Sequence, residues 1–140
     1  MEVDMSDPFV GTWTLNQGRS AFDPNHQPRQ ATMRWELDPD GSYLLVAEGV
    51  DAKGNRCEEK PQRMRPDGVA YPVDGFPGLM SVTTRPTPNT IRAEAKREDG
   101  SLAGEGTYAV ADDRRTMTAT TKGLDSQLRP FTQQTVWDRS

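Results

Sequence analysis

The chain has 140 residues, enough for one domain, and carries a formal charge of −4. That mild acidity, with no Lys/Arg run longer than a pair, argues against a nucleic-acid binder, which carries a basic patch or stripe. No stretch approaches the roughly 18 consecutive apolar residues of a membrane-spanning helix. Leu, Ile, Val and Phe make up only about 16% of the residues, near the compositional edge of disorder, but the high net charge that completes that signature is missing. Pattern therefore decides, and it favours order. The one cysteine, Cys57, excludes an internal disulfide and fits a reducing compartment. Met1 to Asp7 is acidic and has no apolar core, so no signal peptide is expected and the predicted address is cytoplasmic.

Taken in chain order, short alternating segments are divided by turn residues. Strands are predicted at Phe9–Leu15, Arg29–Leu37, Ser42–Val50, Asn55–Arg65, Val69–Val73, Leu79–Arg85, Thr90–Arg97, Leu102–Val110, Thr116–Lys122 and Phe131–Trp137. The divisions include Asp38-Pro39-Asp40-Gly41, Asp51-Ala52-Lys53-Gly54, Pro66-Asp67-Gly68 and Glu98-Asp99-Gly100, where Gly, Pro and Asp suit chain reversal. Alternation is cleanest at Gln30–Leu37, where Ala31, Met33, Trp35 and Leu37 share one face. The fourth segment is the weakest, because Glu58, Glu59, Lys60 and Pro61 suit an edge. Asn16–Pro28 is the longest connection and a candidate lid.

These segments predict a single all-β domain over 1–140, with 1–7 flexible. Its expected form is a closed antiparallel up-and-down β-barrel of about 8–10 strands, since closure removes open edges. A two-sheet sandwich is the alternative.

Phe9-Val10-Gly11-Thr12-Trp13-Thr14-Leu15 resembles the first-strand signature of lipocalins and fatty-acid-binding proteins, a Gly-x-Trp preceded by an aromatic. Thr116–Gly123 and Gln134–Arg139 are similar to the last two strands of fatty-acid-binding proteins. Asp67–Gly75 is similar to small bacterial lipocalin-like proteins. The resemblance implies a lipocalin-like barrel with structural roles for Gly11, Trp13 and Arg139, the arginine lying over the Trp13 ring as a cation–π contact. The chain also departs from the pattern. Asn16–Pro28 leaves little room for a helix pair, and Thr135 and Trp137 stand where fatty-acid-binding proteins carry an Arg-x-Tyr carboxylate clamp.

Catalytic signals are poor. His26 is the only histidine and sits in the Pro-rich connection. Cys57 adjoins Glu58 and Glu59, which disfavour a thiolate. One Cys and one His cannot supply a structural zinc site, and no cofactor is implied. Most carboxylates fall in turns, while Glu94 shares a polar face with Arg92 and Lys96. The inner face is the remaining candidate site. Trp13, Leu45, Ile91, Ala93 and Ala119 are expected on it, and Met33, Trp35, Tyr43, Tyr108, Met117, Phe131, Gln133, Thr135 and Trp137 are read as its ligand-binding residues. Small residues among them (Ala93, Ala95, Ala119, Gly104, Gly106) either leave a cavity or admit large neighbours that fill it. The leading expectation is a non-enzymatic binder of a small apolar or amphipathic molecule. The alternatives are a filled barrel acting through protein contacts, marked by an apolar patch at Phe76–Met80, and a barrel enzyme using an inward carboxylate.

Overall fold

The computed structural model describes residues 7–21, 30–51, 53–58, 61–73, 76–124 and 129–139, and their regular structure is entirely β. Eleven strands form one antiparallel sheet: β1 (Gly11–Ala21), β2 (Gln30–Leu37), β3 (Tyr43–Val50), β4 (Arg56–Glu58), β5 (Gln62–Met64), β6 (Ala70–Pro72), β7 (Leu79–Thr87), β8 (Thr90–Arg97), β9 (Leu102–Val110), β10 (Thr116–Leu124) and β11 (Pro130–Arg139). Their spatial order is β4-β3-β2-β1-β11-β10-β9-β8-β7-β6, with β5 also on β3. Consecutive strands pair from β1 to β4 and from β6 to β11, and β1 joins the two arms of the meander by pairing with β11.

This sheet is rolled into a barrel. Four strand spacings separate β2 from β9, roughly 19 Å on a flat sheet. Yet the rings of Trp35 and Tyr108 meet edge-on with centroids 5.0 Å apart. Tyr43 of β3 likewise reaches Arg85 of β7, whose Nη1 donates to its hydroxyl at 2.6 Å. Among the described residues no ladder joins β5 to β6. The turn between them bridges that seam, with Gly68 N donating to Thr83 O at 2.9 Å and Arg65 lying 5.6 Å over the Tyr71 ring.

Two expectations are corrected. The single strand expected over Asn55–Arg65 is two short ones, β4 against Glu48–Val50 and β5 against Tyr43–Leu45. Pro61, which has no N–H to give a ladder, stands at the break. The supposed lid shrinks from its N-terminal side, because β1 runs on to Ala21. Between Asn16 and Ala21 it bulges away from β11, whose partners there are Val136 and Gln134. Ser20 Oγ holds the bulge, donating to Asn16 O at 2.7 Å and accepting from Val136 N at 2.8 Å. The rest of the lid candidate, 22–28 with His26, lies outside the described residues, as does 1–6 of the segment expected to be flexible.

Register divides each strand into an inner and an outer face, and the inner face read from alternation is the one turned inward. Gly11 opposes Trp35, Trp13 opposes both Met33 and Arg139, Ile91 opposes Tyr108, and Met117 opposes Trp137. Phe9, Trp13, Met33, Trp35, Tyr43, Met64, Ile91 and Met117 are buried together as the core.

Candidate functional site

One end of the barrel is sealed. Phe9 packs against Trp35 and Tyr43, and Trp35 against Tyr43, with ring centroids 5.2–5.9 Å apart. Trp13 donates its indole N–H to Phe9 O at 3.0 Å. Arg139 lies over the other side of this plug, its guanidinium carbon 4.2 Å from the centre of the Trp13 ring. Its Nη1, Nη2 and Nε donate to the carbonyls of Val10, Pro8 and Arg114 at 2.8, 2.6 and 2.7 Å. Gly11 makes room for it. A Cβ there would stand 2.5 Å from Arg139 Nη1, and the backbone φ of +137° is one that L side chains rarely adopt.

A second latch holds the same plug. Asp7 accepts from Phe9 N and from the Tyr43 hydroxyl, at 2.9 and 2.5 Å. Arg85 stacks over Phe9 and Tyr43 while donating twice to Pro88 O. Asp7, expected to be flexible, is therefore tied to the core. Burial, and then the bond to Asp7, push the Tyr43 hydroxyl up from about 10 to about 12. The neutral phenol is favoured in the folded state, so this contribution is complete below pH ~10 and is lost as pH rises through about 12. Tyr43→Phe is expected to melt less steeply with pH over that window than the parent. Thermal melts at several alkaline pH values check this, and parallel slopes for the two proteins would refute the coupling.

The other half of the barrel is hollow. A cavity of about 700 Å³ lies between the seam strands β5 and β6 and the inner faces of β7 to β10. Its floor is made of small side chains, Ala93, Ala95, Gly104 and Gly106. Tyr108, Leu79, Val73 and Tyr71 give it apolar surface, and Phe76, 62% exposed, stands at its rim. Gln62, Ser81, Thr83 and Thr121 add polar groups. The small residues thus do both things expected of them. Ala93 packs against the core cluster on one side, while Ala95, Gly104 and Gly106 with it leave space at the open end.

Four charged residues also line the cavity, and each has an opposite partner. Arg63 pairs with Asp38, and Arg65 with Asp40 at 3.6 Å. Glu94 and Glu105 oppose each other on β8 and β9 and turn their carboxylates to the outer face, where Arg92 hydrogen-bonds Glu105 at 2.7 Å, lies 3.6 Å from Glu94, and Lys122 approaches Glu105. The Arg92 hydrogen bond holds Glu105 below the usual carboxylate range. Among the described residues, no Asp or Glu occupies an inner position of the ladder register.

Of the nine residues read as ligand-binding, Tyr108 lines this cavity. Trp35, Tyr43, Met33 and Met117 belong instead to the packed end, where each is at most 4% exposed. Thr135 is buried and accepts from Trp137 Nε1 at 2.8 Å, so the positions of the missing carboxylate clamp satisfy one another. Phe131 and Gln133 are half-buried on the inner face beyond them, and Gln133 Oε1 is buried with no hydrogen-bond partner among the described residues.

The walls on β5 to β7 went unread. Ser81 and Thr83 face inward because they oppose Ala95 and Ala93, while Met80 and Val82 face out. A polar inner row beside an apolar outer one reads as the reverse orientation in sequence. The local signal was only that this alternation runs out of phase with β8.

No family model and no curated protein matches the sequence, so the likeness at Asp67–Gly75 to small bacterial proteins rests on that stretch alone. Solved structures do match in shape. The wild-type fluorescent protein UnaG aligns with a TM-score of 0.63 at 15% identity, over 94% of this chain and 97% of its own. As-p18, an extracellular fatty acid binding protein, aligns at 0.55 and 12% identity, over 99% and 100%. A redesigned β-barrel, mFAP1, bound to DFHBI aligns at 0.54 and 14% identity, over 96% and 97%. At such identities the likeness is one of fold, and the fold is the lipocalin and fatty-acid-binding-protein type of barrel.

Proposed function

We propose that this protein is a binder, without catalytic activity, of a small apolar or amphipathic molecule, held in the open half of the barrel. The cavity of about 700 Å³ carries this reading, because it falls within the size range of small-molecule pockets and mixes apolar walls with a few polar groups. The similar barrels support it, since As-p18 is a fatty acid binding protein and mFAP1 holds DFHBI. The enzyme alternative lacks its chemistry, for the wall carboxylates are engaged by Arg92 on the outer face. The filled-barrel alternative is weakened by the cavity itself. Phe76, the exposed residue that would mark a protein contact, sits at the cavity rim, where a hydrophobic ligand enters.

Native mass spectrometry of protein purified without refolding, beside titration with the neutral dye Nile red, tests the reading. Adduct mass that disappears on denaturation, or saturable dye fluorescence at one site per chain, is the expected result. A bare chain that also leaves the dye dark would overturn it.

A further inference from the structure

We infer that the cavity selects uncharged ligands bearing a hydroxyl, carbonyl or amide group and discriminates against ionised carboxylates. This rests on the binding reading above and names the ligand class of that same site. Two observations point the same way.

The first is electrostatic. An ionised carboxylate moved from water into a barrel needs a cation or several donors to offset its lost hydration. The arginines on the wall do not offer themselves. Arg63 is bound to Asp38 and to Ser42 Oγ, and Arg65 is paired with Asp40 and stacked on Tyr71. Arg85 and Arg139 are committed to the plug at the sealed end. An anionic head entering here meets Asp38 and Asp40 beside each guanidinium and gains little net attraction.

The second is hydrogen bonding. Thr83 is 3% exposed, lines the cavity and faces inward opposite Ala93, and its hydroxyl makes no side-chain hydrogen bond among the described residues. Ser81, two residues along the same face, and Thr121 across the cavity add hydroxyls to the wall. Buried polar groups are normally paired, so a wall that presents hydroxyls beside apolar surface suits a ligand that supplies neutral partners. A hydroxyl can donate or accept, and it meets a neutral polar group without the desolvation cost of a charge.

The test is displacement of Nile red from the full-length protein by 1-decanol, decanoic acid and decane at neutral pH. Decanol is expected to compete at least about tenfold better than decanoic acid, a difference of about 1.4 kcal/mol. Thr83→Val, which keeps the shape and removes the hydroxyl, is expected to narrow the advantage of decanol over decane, each competitor being read against the Nile red affinity measured for the variant itself; an unchanged decanol-to-decane ratio would overturn the role of that hydroxyl. Decanoic acid competing as well as decanol would overturn the selectivity and leave the binding reading intact. If Nile red itself does not bind, the binding reading falls and the selectivity with it.

Discussion

Gly11→Ala is expected to destabilise the fold by about 4 kcal/mol and to lower the melting temperature by roughly 10–15 °C. Two costs add. An L side chain held at a φ of +137° is strained by about 1–3 kcal/mol. The new methyl also occupies the space of Arg139 Nη1, which must leave the carbonyls of Pro8 and Val10 and the face of Trp13. Each charge-assisted bond of that kind contributes about 1.5–3 kcal/mol where it is made. The two costs are separable. In an Arg139→Ala background the collision is gone, and Gly11→Ala should cost only the backbone strain. A double-mutant cycle by urea denaturation therefore yields a coupling of at least about 1 kcal/mol. Strict additivity would show that the arginine and the glycine act independently.

The second large effect is on binding. Ala95→Phe should abolish or weaken Nile red binding at least about tenfold while moving the melting temperature by no more than about 3 °C. Ala95 lines the cavity between Ser81 on β7 and Gly104 on β9, so an added ring projects into empty space. Enlarging a residue in a packed core costs about 1–3 kcal/mol, but a hollow offers the ring somewhere to go. Placing a phenyl group in the sealed end, as in Val110→Phe, should do the opposite, with stability lost and dye affinity largely kept. Equal dye affinity for Ala95→Phe and the parent would place the ligand elsewhere.

These effects divide the molecule along a line only half visible in the sequence. The barrel was legible because its strands alternate and its turns carry Gly, Asp and Pro at regular spacing. Trp35, Met33 and Ala31 sort to one face by period two alone. The Trp13–Arg139 approach was legible through family resemblance, and the ladder places the two residues directly opposite each other. The location of the cavity was not legible. Trp13, Trp35, Tyr43 and Met117 lie far apart in the chain, and only the register of β1, β2, β3 and β10 gathers them at one end. Nothing local marks Tyr43 as plug and Tyr108 as cavity wall. Gln17-Gly18-Arg19-Ser20 reads as loop chemistry, and its inclusion in β1 depends on Ser20 bonding Val136, a contact 116 residues away. Ser81 and Thr83 were missed because a hydroxyl turned into a cavity has the same letters as one turned to water.

The interrupted ladder between β5 and β6 has a kinetic consequence. Backbone amides gain protection from hydrogen exchange through the ladders on both sides of their strand, and these two strands have only one. β6 is three residues long and holds on to β7 alone, so it forms a natural unit of sub-global opening, released while the aromatic plug stays intact. Its opening would widen the cavity beside Tyr71 and Pro72, so under the proposed function ligand exchange is expected at the rate of that local event, without unfolding of the barrel. An edge with a single ladder is also exposed to pairing with another chain. Pro72 within β6, Pro61 ahead of β5 and the charges of Arg56 and Glu58 on β4 are residues that blunt such pairing. The same seam that would admit a ligand under the proposed function is thereby guarded against a foreign strand.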